Sequence, residues 1–240
     1  MADRNEPRRA DATELSRSPD AEIPLGVDAP LLDVMATMRA MRRLKPDPVP
    51  TEVLTEIVRA ATWAPSGSDA QHYAFVVIND PDVMARMAPL WRDMVDTYRT
   101  LMGTVVPGVE DDRHQRMADA LEAQAADFAS TPALIAACYQ RSGPSLSSLA
   151  DLRAASGLVR RLGATRLRRL AAGARASTNL AEASSIYPAV QNLLLAARAH
   201  GLGATLTIWH LFREADVRRI LGVPSEYGIY ALIPLGYPRG

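Results

Sequence analysis

Cysteine is nearly absent from these 240 residues, occurring once, at Cys138. One thiol cannot close an intrachain disulfide, and its isolation fits a reducing compartment. Charge of one sign is lacking too: 27 basic residues face 27 acidic ones. That balance gives no global electrostatic reason to expect nucleic acid or an acidic membrane as the main partner. No stretch approaches the roughly 18–20 apolar residues of a membrane span. Residues 1–24 also lack the apolar block of a secretory leader. The expectation is a soluble, cytoplasmic protein. His72, His114, His200 and His210 share no metal-ligand spacing, and no Cys/His cluster exists, so no metal is expected. There is no P-loop and no Gly-x-Gly-x-x-Gly opening a βαβ unit. Ser66, in Pro-Ser-Gly-Ser, lacks the flanking glycines of a nucleophile elbow.

What is present suffices for one sizeable core, with 48% of residues hydrophobic. Residues 1–26 read as a disordered or loosely docked arm, and 27–240 as one domain. Leu31, Met35, Met38 and Met41 recur at helical spacing until Pro46, Pro48 and Pro50 break the pattern. Thr51 is a plausible N-cap for a helix burying Leu54, Ile57, Val58 and Ala61. A turn-rich loop, Ala64-Pro65-Ser66-Gly67-Ser68, leads into a strand at 73–78. Helices are expected at 82–102, 112–129, 188–200 and 213–221, and strands at 133–139, 204–209 and 228–235. The mixed order, without βαβ alternation or repeats, indicates an α+β fold: a mostly antiparallel or mixed sheet wrapped by helices. Cys138 lies in the apolar run 133–139 and reads as a small core hydrophobe rather than a nucleophile. Trp63, Trp91 and Trp209 read as core or interface.

Arg39, Arg42 and Arg43 would share one surface of a helix. Converging guanidinium forks suit a phosphate dianion, although the same spacing also describes a solvated basic face. The loop around Ser66, Gly67 and Ser68 allows close backbone approach to a flat ligand, or is an ordinary turn.

In order, these segments carry a resemblance. Residues 40–50, with Arg42 and Arg43 before the prolines, are followed by Pro65-Ser66-Gly67-Ser68. Then come Ala189-Val190-Gln191-Asn192, Gly201-Leu202-Gly203, Leu221-Gly222-Val223-Pro224 and Gly236-Tyr237-Pro238. Together they resemble the FMN-dependent nitroreductase family, over residues of about 30–105 and 184–240.

The resemblance implies a homodimer with a nitroreductase-like α+β core and FMN in a cleft between protomers. It assigns the ribityl phosphate to Met38, Arg39, Ala40, Met41 and Arg42, and the isoalloxazine border to Pro65, Ser66, Gly67 and Ser68. Leu206, Thr207 and Ile208 would pack on the flavin, with an N–H or hydroxyl near its N5. No side chain need act as an obligatory acid or base, so no catalytic residue is assigned. The implied reaction passes hydride from NADPH or NADH through flavin to a small organic acceptor: a nitroaromatic, quinone or enone. Other flavin chemistry on the same fold (dehalogenation, dehydrogenation) stays open, as does a non-catalytic flavin-binding protein. Leu193, Leu194 and Ala197 would face the dimer seam. Met38 and Ala40 stand where relatives often carry Arg and Ser, and the sequence reaches Gly240 without the basic stretch common after Gly-Tyr-Pro, so a weaker phosphate site is expected.

One further segment, 142–181, gathers Arg153, Arg160, Arg161, Arg166, Arg168, Arg169 and Arg175. No acid lies between Asp151 and Glu182. A solvated helical excursion or subunit contact, a lid attracting an anionic substrate or NADPH, and a membrane-facing surface are the readings in descending order.

Overall fold

The computed structural model describes residues 26, 28–105, 112–141, 160–161 and 163–239. The expected N-terminal arm therefore lies outside the described residues, apart from Gly26, as does most of the basic excursion before residue 163. Helix α1 (Leu31–Thr37) and helix α2 (Thr51–Thr62) come first, then strand β1 (Tyr73–Ile78). Helices α3 (Pro81–Val105) and α4 (Asp112–Asp127) lead to strand β2 (Ala133–Gln140). A long helix, α5 (Ala164–Ala199), precedes the short strand β3 (Gly203–Ala204), helix α6 (Glu214–Leu221) and strand β4 (Tyr227–Gly236).

The strands form one antiparallel sheet in the order β1-β2-β4-β3. β2 is apolar at consecutive positions because helices cover both its faces. Ile135, Ala137 and Tyr139, with Ala231, Ile233 and Leu235 of β4, pack on Leu54, Ile57 and Ala61 of α2 and on α5. Leu134, Ala136 and Cys138 point the other way, into Met84, Met87, Trp91 and Met94 of α3, Leu121 of α4 and Val217 of α6. Trp91 is fully buried and stacks on Phe128 at 4.2 Å. Among the described residues, no helix is long and apolar enough to cross a membrane.

Several expectations change. The helical stripe through Met41 stops at Thr37; residues 38–44 are extended and bridge Ala40 to Ala204 and Leu44 to Pro238. Arg39, Arg42 and Arg43 therefore do not share a helix face. Backbone pairing with the sheet edge, where Met41 N–H donates to the Ala204 carbonyl at 3.1 Å, outweighs the local periodicity. The strand expected at 204–209 shrinks to Gly203–Ala204, with one further bridge from Thr207 to Leu232. Pro188 does not start a helix but lies inside α5, whose flanking Ile186, Ala189 and Val190 are fully buried. That packing offsets the one backbone hydrogen bond proline cannot make. Leu193 and Ala197 are also fully buried, and Leu194 nearly so, within one chain. They belong to its own core and not to a seam between copies.

Candidate functional site

Two loops expected to share one ligand contact α5 at well-separated points, one in its second half and one at its C-terminal end. At the first, Gly67 N–H donates to Ser185 Oγ at 3.0 Å. At the second, Arg198 Nε donates to Thr37 Oγ1 at 3.1 Å, and Leu202 N–H reaches the Ala197 carbonyl at 2.9 Å. Ser185 and Arg198 are thirteen helical steps apart, a rise of roughly 20 Å. Within one chain, Pro65–Ser68 and Met38–Arg42 are therefore held apart by that helix.

The Pro-Ser-Gly loop is strained. Ser68, Asp69 and Gln71 all take positive φ, at 56°, 51° and 49°. Side chains with a Cβ rarely adopt that region, and such strain persists only where surroundings enforce it. Here Gln71 N–H donates to Ser66 Oγ at 2.9 Å, and Gln71 Nε2 donates to Asp69 Oδ1 at 2.8 Å. Tyr73 hydroxyl anchors the loop's entry by donating to the Ala64 carbonyl at 2.9 Å. Trp63, just before the loop, is exposed and so is not core.

The extended segment 38–44 packs against β3 and the residues after it. Thr205 Oγ1 donates to the Met41 carbonyl at 3.2 Å, while Met41 covers Gly203. Met38–Arg42 and Leu206–Ile208 thus follow paired stretches of one sheet edge. Leu206 and Ile208 are exposed, and Thr207 is buried between them. Thr207 N–H is already committed to the Leu232 carbonyl at 3.0 Å. Its hydroxyl accepts from Trp209 N–H at 3.2 Å, leaving the hydroxyl proton to give. Trp209 turns away into the α3 core, edge-on to Trp91 and tilted against Tyr98.

The arginines have separate fates. Arg39 Nη1 donates to the Ala36 and Met38 carbonyls, closing the end of α1 rather than converging with Arg42. Arg42 is half-buried, and its Nε has no partner among the described residues. Desolvation pushes its pKa below the ordinary value. A buried, unpaired guanidinium nitrogen is costly unless an anion or ordered water meets it. Arg42 opens on a cleft of about 520 Å³ lined by Ala40, Arg43, Arg116, Asp119 and Arg239 among others. Arg239 is tied to Asp127 at 2.8 Å.

Sequence reasoning missed Arg116 and Ser185. Arg116 lies some 75 residues from the arginine segment, and nothing local marks α4 as its neighbour. The Ser184-Ser185 pair, directly before the apolar stretch Ile186–Val190, was a signal for the second. Among the described residues, no group of His, Cys, Asp or Glu is placed to hold a metal ion.

A family model for the Nitroreductase family matches residues 36–237. The chain belongs to the nitroreductase family. A "NADH dehydrogenase" of Thermus thermophilus is 28% identical over 228 residues, spanning 87% of this chain and 88% of that relative. An iodotyrosine deiodinase of Danio rerio is 35% identical over 71 residues, only 29% of this chain and 24% of the relative. Among solved structures, an oxidized iodotyrosine deiodinase bound to FMN and 3-iodo-L-tyrosine aligns with a TM-score of 0.59 at 21% identity. It covers 87% of this chain and 90% of its own. At that identity the likeness establishes the nitroreductase fold alone, as the antiparallel sheet and its helices do.

Proposed function

We propose that this nitroreductase-family chain is an FMN-dependent oxidoreductase, taking hydride from NADH or NADPH and delivering it to a small organic acceptor. Nitroaromatics, quinones and enones are the acceptors to try first. The observation that carries the reading is Arg42: a half-buried guanidinium whose Nε has no partner among the described residues, opening on a cleft lined by the segment that bridges to Ala204. That donor set fits the anionic part of FMN, because a charged donor in a partly desolvated cleft binds phosphate oxygen more strongly than water would allow.

FMN, when bound, supplies the hydride acceptor and donor, so the protein's work is binding, orientation and exclusion of water. Met38–Arg42 hold the anionic end. Leu206 and Ile208 present exposed apolar surface suited to a flat ring, and Thr207 hydroxyl offers a proton to a ring heteroatom. Pro65–Ser68 provide the opposite border from a second copy, since α5 holds them roughly 20 Å from the arginine segment of their own chain. The functional unit is accordingly a homodimer.

The purified protein should be yellow and release FMN on heating. NADH or NADPH should then bleach the flavin in stopped flow. Flavin that neither nucleotide reduces would end the reductase reading. Arg42→Ala should cost on the order of 1.5–3 kcal/mol of FMN binding by fluorescence titration. Equal affinity in wild type and variant would remove Arg42 from the site.

The similarity to iodotyrosine deiodinases favours a second reading, reductive dehalogenation. Reduced enzyme offered halogenated phenols and nitroaromatics side by side separates the two by the product formed.

A further inference from the structure

Met38 and Ala40 cannot bind an anion through their side chains, and Arg39 is occupied with the end of α1. The cleft beside them has another source of positive charge. Arg116 of α4 lines it together with Arg42 and Arg43, and the buried Arg42 Nε has no hydrogen-bond partner among the described residues. Ala120, one turn beyond Arg116 on the same helix, is small and leaves the space open. Asp119 is the one acid in the lining, and its Oδ1 accepts from Gln115 Nε2 at 2.8 Å. Arg239, across the cleft, is already neutralised by Asp127.

We propose that α4 completes a phosphate-monoester site in this cleft, with Arg116 supplying the contact that Met38 and Ala40 cannot. Three guanidiniums lining one concave surface repel one another until an anion joins them, and a dianionic monoester accepts from several forks at once. The proposal rests on the flavin reading above and extends it to a residue far away in sequence. Two ligands carry that chemistry: the ribityl phosphate of FMN and the 2′-phosphate of NADPH.

The experiment uses the whole chain and equilibrium binding. FMN is compared with riboflavin, which lacks the phosphate, and NADPH with NADH, in wild type, Arg116→Ala, Ala120→Leu, Asp119→Asn and a control, Arg219→Ala. Arg116 is exposed, so its loss leaves folding intact. If the flavin phosphate occupies the cleft, Arg116→Ala weakens FMN at least tenfold and leaves riboflavin unchanged. If the 2′-phosphate occupies it, NADPH weakens and NADH does not, while FMN keeps its affinity. In either case Ala120→Leu weakens the same ligand by filling the space. Asp119→Asn tightens it by removing the lone acid, and Arg219→Ala does nothing. Wild-type affinities for both FMN and NADPH in Arg116→Ala overturn the site while leaving the flavin reading intact. A wild-type chain that binds neither flavin nor nicotinamide nucleotide overturns both.

Discussion

Gly67 and Gly203 border the two halves of the candidate site, and the space around them differs. A Cβ on Gly67 would lie 3.4 Å from Ser185 Oγ, an ordinary contact, so one chain accepts alanine there. If the loop's backbone lies against a flat ring or a second copy, the same methyl group intrudes. Gly67→Ala should leave the thermal midpoint unchanged and weaken FMN binding several-fold. Unchanged binding would make this glycine an accident of the turn. Cys138 illustrates the opposite case, a residue whose chemistry burial suppresses. Desolvation raises its thiol from 9.0 to about 11. The unfolded chain therefore loses this proton near pH 9, while the folded chain keeps it until about pH 11. Stability falls as pH rises through that window, by up to roughly 3 kcal/mol. Urea unfolding at pH 8 and pH 10.5 should show a smaller loss in Cys138→Ala than in wild type. Equal losses would mean that the thiol keeps an ordinary pKa.

At the scale of elements, the contact between β3 and the extended segment 38–44 decides where the arginines go. A Cβ on Gly203 would meet Met41 Cβ at 2.8 Å and Leu44 Cδ2 at 3.3 Å. Gly203→Ala should thus cost about 1–3 kcal/mol in thermal or urea unfolding. It should also weaken FMN binding, because it displaces the residue preceding Arg42. This contact was not legible in the sequence. The spacing of Leu31, Met35, Met38 and Met41 is helical, and only the distant partners Ala204 and Thr205 pull Met38–Leu44 straight. Strands β1, β2 and β4 were legible because their apolar runs need no partner to be recognised. Pro188 misled for the reason Met41 did: tertiary packing on both sides of it carries α5 through a residue that alone would end a helix. The Pro-Ser-Gly loop was placed correctly between α2 and β1. Its three positive-φ residues were invisible, since none is glycine. Of the candidate site, the segments were readable in order, but their distance from one another and the neighbourhood of Arg116 were not.

For the whole molecule, the apolar surface exposed among the described residues is the decisive quantity. In one chain Leu31 is 64% exposed, Leu32 76% and Trp63 74%. Met35, Leu180, Leu211 and Phe212 are exposed as well. Scattered apolar side chains are ordinary on a surface, but α1 presents Leu31, Leu32 and Met35 within two turns. A second copy covering that helix would explain why so short an element carries so much uncovered hydrocarbon. On the homodimer proposed above, that copy would be the one that supplies the Pro65–Ser68 border. Exchanging both Leu31 and Leu32 for glutamate removes no core contact, since neither is buried. The doubly substituted chain should therefore fold, sediment as a monomer and bind FMN at least tenfold more weakly than wild type. Riboflavin should weaken with it, because the missing part is the wall for the ring and not the phosphate site. A monomer that retains wild-type flavin affinity would mean that one chain builds the whole site. The roughly 20 Å set by α5 would then have to be bridged by the ligand itself or by a rearrangement of the loop.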